Sequence, residues 1–175
     1  MLYPVLIIIT YFKLHTLENN ADMKYAGSYI LLTAISTPFF FLFPVEVSGY
    51  YAEAIEPLLY NFHPMIKNGI TSFDPLTKAM PSLHTGLSVL AFLYANKYTD
   101  GYAHFSLIAT VLVIISTFYL GVHWISDAVV GAILATVSFK LVDSGYIKSD
   151  FLPEKLKTKA YTFLDDFKTQ LNYAQ

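Results

Sequence analysis

The sequence predicts an all-α integral membrane helix bundle, and three observations carry that expectation. Hydrophobic residues make up 55% of the 175 residues and charged residues only 14%. Soluble domains carry about a quarter charged residues, and the mean hydropathy here is +0.48, so composition alone places the chain among membrane proteins. Five apolar stretches follow one another, each long enough to cross or nearly cross a bilayer. Lipid offers no partner to an unpaired backbone group, so such stretches fold as helices and not as open strands.

The first stretch, Leu2 to Leu14, is short for a span and begins almost at the first residue. It lacks a basic leader and a small-residue cleavage site, so it reads as an anchor and not a signal peptide. The second, Tyr25 to Val45, is long and almost uncharged. Glu46 to Met80 is polar and aromatic, with Pro57, Pro64 and Pro75 as breakers; its length predicts an interfacial segment and not a plain connector. The third stretch, Leu83 to Tyr94, follows a Pro-Ser-Leu-His sequence. The fourth, Tyr102 to Val122, is disturbed only by His104, and the fifth, Trp124 to Val142, is broken by Asp127. Beyond it, Leu156, Ala160, Phe163, Leu164 and Phe167 recur at helical spacing among Lys and Asp, which predicts a short amphipathic C-terminal helix. The expected division is a membrane domain over 1–148, with 46–80 as its interfacial segment, and a polar tail over 149–175.

Five spans bring the Glu46–Met80 segment and the junction of spans four and five to one membrane face. That face carries Lys67 and Lys78, while the other carries Lys13, Lys24, Lys97, Lys140, Lys148, Lys155, Lys157, Lys159 and Lys168. Nine against two predicts that the lysine-rich side, with the C-terminal tail, is cytoplasmic. The absence of Cys excludes disulfides and a thiol nucleophile, and a net charge of -2 gives no sign of a nucleic-acid partner. All eleven basic residues are Lys, so any anion held by side-chain charge is held without bidentate guanidinium forks.

On the lysine-poor face three features meet: His84 in the first turn of span three, His123 at the start of span five, and the Lys67–Lys78 stretch. His123 and Asp127 are four apart, which on a helix places them on one face. An Asp accepting the Nδ1 proton would fix the imidazole tautomer and leave Nε2 as a nucleophile. An Asp in an apolar helix needs a partner, and His123 is the nearest. The N-terminus of span three favours an anion, Ser82 adds a hydroxyl there, and Pro81 suits a helix start. Two histidines around an anion held by Lys and a helix end supply a nucleophile, a proton for the leaving oxygen and charge compensation. Phosphoryl transfer from a lipid needs these three.

The sequence resembles the type-2 phosphatidic acid phosphatase superfamily, which also includes vanadium haloperoxidases. The family's Pro-Ser-Gly-His motif is similar to Pro81-Ser82-Leu83-His84. Its motif of Ser-Arg, five residues, His, three residues, Asp is similar to Ser116-Thr117, five residues, His123, three residues, Asp127. Its motif of Lys, six residues, Arg-Pro matches Lys67 and Asp74-Pro75 in spacing only, so both family arginines are absent. The wording Ala79-Met80-Pro81-Ser82-Leu83-His84 and His123-Trp124 looks closer to the branch that includes inositol phosphorylceramide synthase-like proteins. The family core commonly has six helices, one more than the five counted here. The resemblance implies a lipid phosphate phosphatase or phosphotransferase that needs no metal or other cofactor and works through a phosphohistidine.

The expected roles are His123 as nucleophile, Asp127 as its orienting partner, and His84 as acid and later base. Lys67, Lys78 and Ser82 are the candidate phosphate ligands, and Lys67 and Lys78 compete for that role or snorkel at the interface. The expected partners are a lipid phosphate substrate and membrane lipids. Transfer of a phospho-headgroup to a lipid alcohol is the alternative reaction, and a non-catalytic lipid-phosphate binder the alternative of another class. Plainer readings stand beside these. A Pro-Ser-Leu-His at a helix start is often only a cap, and a His-x-x-x-Asp only a structural pair. His63 reads as a loop hydrogen-bond partner, and His15 and His104 as interfacial. Glu46, Glu53 and Glu56 read as a solvated face, with a metal or a sugar headgroup as the sharper option. Gly131 and Ala135 read as a small-residue packing seam.

Overall fold

In the computed structural model, residues 3–17, 20–50 and 79–147 are described. Lys67, Lys78, Glu53, Glu56, His63, Asp74 and the amphipathic stretch from Pro153 lie outside them. Five α-helices and a short 3-10 turn, Ser48–Tyr50, make up the described residues, and no strand occurs among them. The helices are α1, Tyr3–His15; α2, Ala21–Leu42; α3, Leu83–Tyr98; α4, Asp100–Tyr119; and α5, Ile125–Asp143.

Each apolar stretch of the sequence has become a helix. Three of them, α2, α4 and α5, are long and apolar enough to cross a membrane, which marks the chain as an integral membrane protein. The sequence predicts five spans, and the difference lies in α1 and α3. With 13 and 16 residues they rise about 20 and 24 Å, short of a hydrocarbon core about 30 Å thick.

The position of α3 explains its composition. It is the hub of the bundle: α1, α2, α4 and α5 all pack on it, while α2 also meets α5, and α1 meets α2 and α4. A helix enclosed in this way needs small and polar residues at its contacts more than it needs a lipid-facing surface. Thr85, Gly86, Ser88, Ala91 and Ala95 are buried along it, beside Leu87, Leu90 and Tyr94. Around it the core closes with Leu6, Leu14, Ala21, Tyr25, Leu32 and Ala135. The outward faces stay apolar at Ile8, Ile30, Ile108, Leu112, Ile115 and Ile133, as lipid-facing surfaces must.

Several polar groups within the bundle are paired, because an unpaired one is costly in lipid. At the end of the bundle away from the two histidines, Asp143 accepts from Lys97 and from the Tyr98 hydroxyl, with Lys24 Nζ 3.7 Å from its carboxylate. The Ser28 and Tyr94 hydroxyls meet at 2.8 Å, and those of Thr10 and Tyr102 at 2.9 Å. His15 is tied to Asp22 at 2.8 Å, so it fastens α1 to α2; His104 is exposed. These contacts pin one end of the bundle and leave the other end to the histidines.

Candidate active site

Three stretches of backbone converge at the opposite end. The chain after α2 pairs with the chain before α3 through Ala79 N–H to the Val45 carbonyl, 2.9 Å. It pairs with the α4–α5 turn through Gly49 N–H to the Gly121 carbonyl, also 2.9 Å. Gly121 has φ 64°, a left-handed conformation that glycine adopts at no steric cost, and this lets the chain leave α4 and turn directly toward α5. The Ser48 hydroxyl donates to the His123 carbonyl at 3.1 Å, and Trp124 Nε1 donates to the Glu46 carbonyl at 3.0 Å. The backbone at His123 and the Trp124 side chain are thus tied to the segment that follows α2.

His84 and His123 come together, as the count of spans predicts. His84 Nδ1 lies 3.1 Å from His123 Nε2, with the ring centroids 5.3 Å apart. His123 is 6% exposed, while His84 is half-buried. His123 Nδ1 lies 2.9 Å from the Ala79 carbonyl oxygen. A carbonyl only accepts, so Nδ1 carries the proton. In the neutral ring Nε2 therefore has the lone pair, and His84 Nδ1–H is the donor between the two rings. The edge of the Tyr3 ring also packs on His84, with centroids 4.5 Å apart.

Asp127 does not take the Nδ1 proton. α5 starts at Ile125, so His123 precedes the helix, yet the two side chains lie in contact range as the i,i+4 spacing predicts. Asp127 Oδ2 is 3.8 Å from His123 Nδ1, an ion-pair distance and not a hydrogen bond. The same oxygen accepts from the Trp124 backbone N–H at 2.8 Å, and Ser126 Oγ reaches Oδ1 at 3.3 Å. Asp127 is fully buried; it caps the first turn of α5 and sets its carboxyl group beside the imidazole.

Ser82 is also fully buried, and its hydroxyl is engaged at the start of α3. It is the N-cap, accepting from Thr85 N–H at 3.2 Å and meeting Thr85 Oγ1 at 3.2 Å. Pro81 therefore precedes the cap and does not occupy the first helical position. Thr117 stands where the resembling motif has Arg. It is buried, and its hydroxyl donates back to the Ile114 carbonyl at 2.8 Å. Among the described residues no group of three or more His, Asp and Glu side chains converges as metal ligands would. Sequence reasoning missed the Ala79 carbonyl, which has no side-chain signature. It also missed Tyr3, which an odd number of spans would have placed at the histidine face.

The chain belongs to the PAP2 superfamily, whose family model matches residues 1–141. Over 90 residues the chain is 33% identical to an uncharacterized protein of Methanocaldococcus jannaschii, an alignment covering 49% of this chain and 37% of that protein. The match thus spans little more than a third of the relative's length. No solved structure matches the chain.

Proposed function

We propose that the chain is a membrane lipid phosphatase that hydrolyses a phosphomonoester or pyrophosphate of a lipid through a phosphohistidine on His123. The observation that carries this reading is the 3.1 Å contact of His84 Nδ1 with His123 Nε2, with His123 Nδ1 at the Ala79 carbonyl. His123 Nε2 attacks phosphorus as the bond from phosphorus to the leaving oxygen breaks, and His84, entering as imidazolium, gives that oxygen its proton and becomes neutral. His84, now basic, takes a proton from water; the hydroxide attacks phosphorus, the P–N bond breaks, and His123 is regenerated. Asp127 supports the imidazolium that His123 becomes on attack. Ser82 acts through the cap it forms on α3, and Lys67 or Lys78 supplies the cation for the phosphate. The scheme uses no metal, and activity is expected to survive EDTA.

A second reading replaces water with a lipid alcohol, so that a phospho-headgroup such as phosphoinositol is transferred. The Pro81-Ser82-Leu83-His84 wording favours it, since it resembles the synthase-containing branch. The site face is assigned to the extracytoplasmic side on the lysine asymmetry. Purified full-length chain offered a panel of lipid phosphates and pyrophosphates tests all of this. Phosphate release marks a hydrolase, a new lipid marks a transferase, and affinity without turnover sinks both in favour of a binder.

A further inference from the structure

α5 crosses the start of α3 where both helices carry glycine. A Cβ on Gly131 would lie 2.4 Å from the Ser82 carbonyl oxygen and 3.4 Å from Gly86 N. A Cβ on Gly86 would lie 3.1 Å from the Gly131 carbonyl oxygen and 3.3 Å from Leu32 Cδ2. Carbon and carbonyl oxygen settle at about 3.3–3.6 Å, so an Ala at 131 requires the helices to part by about 1 Å. The obstruction is main chain, and no rotamer relieves it.

Ser82 is held to α5 a second time, one turn earlier, where its N–H donates to the Asp127 carbonyl at 3.0 Å. Its own carbonyl also accepts from Gly86 N–H at 2.9 Å, closing the first turn of α3. The residue that starts α3 is therefore gripped by α5 at Asp127 and at Gly131. His84 is two residues beyond it, and His123 is four residues before Asp127. Separation of α3 from α5 at this point passes directly to the separation of the two imidazoles.

We infer that Gly131 is a positioning residue that sets the His84–His123 distance, and through it the rate of the phosphoryl-transfer step; the second half rests on the function proposed above. A packing seam alone would affect folding and leave the pair unchanged. A misplacement of about 1 Å costs on the order of 10²-fold in rate.

The test compares Gly131→Ala, Gly86→Ala and Gly101→Ala in the full chain. Gly101 is the control, because its Cβ would meet nothing within 4 Å. Two readouts need no turnover: imidazole ¹⁵N shifts of His84 and His123, and orthovanadate titration followed by the single tryptophan, Trp124, beside His123. The third is kcat against KM with p-nitrophenyl phosphate. Gly131→Ala is expected to stay helical, shift the imidazole nitrogens, weaken vanadate binding and lower kcat about 10²-fold with little change in KM. Gly86→Ala is expected to show the same changes to a smaller extent, and Gly101→Ala none. A folded Gly131→Ala with wild-type shifts, vanadate affinity and kcat overturns the inference. If Gly131→Ala does not fold, Gly86→Ala decides, and unmoved shifts there overturn it. A wild-type chain that neither binds vanadate nor turns over substrate overturns the phosphate reading instead, and the ¹⁵N shifts still decide the positioning role.

Discussion

His84 Nδ1 stands 3.1 Å from His123 Nε2, and the proton between them belongs to His84. The Ala79 carbonyl dictates that placement by accepting a hydrogen bond from His123 Nδ1–H. The pair is therefore closed at rest. A phosphoryl group attacked by Nε2 has to enter where the His84 N–H now points, exchanging an N–H···N contact for N–H···O. The first expectation follows: at neutral His123 the ring is the Nδ1–H tautomer. Imidazole ¹⁵N shifts of the labelled protein check it. A proton found on Nε2 of His123 would remove the lone pair the mechanism needs.

Asp127 separates a charge role from a capping role. Asp127→Asn keeps an oxygen for the Trp124 N–H, so the start of α5 should survive, while the charge 3.8 Å from the imidazole is lost. Asp127→Ala loses both, and loss of an N-terminal cap costs about 1 kcal/mol. Thermal unfolding should thus show a lower midpoint for Ala than for Asn. Turnover of Asp127→Asn should fall between wild type and His123→Ala. Asp127→Asn as inactive as His123→Ala would mean that the carboxylate, and not the Ala79 carbonyl, governs the nucleophile.

How much of this the sequence disclosed depends on the kind of interaction. Apolar run length marks helices well, because burying backbone in lipid leaves few other solutions. Counting spans is enough to put His84 and His123 at one face. The His123–Asp127 spacing gives their contact but not the hydrogen bond, because α5 begins two residues after His123 and the Nδ1 proton meets the Ala79 carbonyl instead. The Ala79 carbonyl is invisible because every residue has one; only the meeting of the chain before α3 with the α4–α5 turn selects it. Ser82 reads as a phosphate ligand or as a cap from sequence alone, and burial of its hydroxyl against Thr85 favours the cap.

Orientation rests on nine lysines against two. The chain contains no cysteine, so single-Cys variants need no background removed. Glu46 is exposed at the histidine end and Tyr146 is 86% exposed at the other. A membrane-impermeant thiol reagent on intact cells should label Glu46→Cys and spare Tyr146→Cys. The reverse pattern would turn the protein over and put the histidines on the cytoplasmic side.

The two histidines differ in what a substrate's leaving group demands of them. In the proposed mechanism His123 forms the bond to phosphorus, so His123→Ala should abolish turnover whatever leaves. The same mechanism has His84 supply a proton to the departing oxygen, and the need for it depends on that oxygen's basicity. A simple alkoxide is a poor leaving group without a proton, and there His84→Ala should lose the help of a general acid, about 10²- to 10⁴-fold. p-Nitrophenolate leaves unprotonated, and with it the same variant should recover much of its rate. If His84 also acts as base in the second half of the reaction, as proposed, the recovery should be largest in the burst that precedes hydrolysis of the phosphohistidine. Rapid-quench kinetics on the two classes of substrate would show this. Equal dependence on the leaving group in both variants would mean that His84 carries no proton to it. The 3.1 Å contact would then serve only to hold His123 in place.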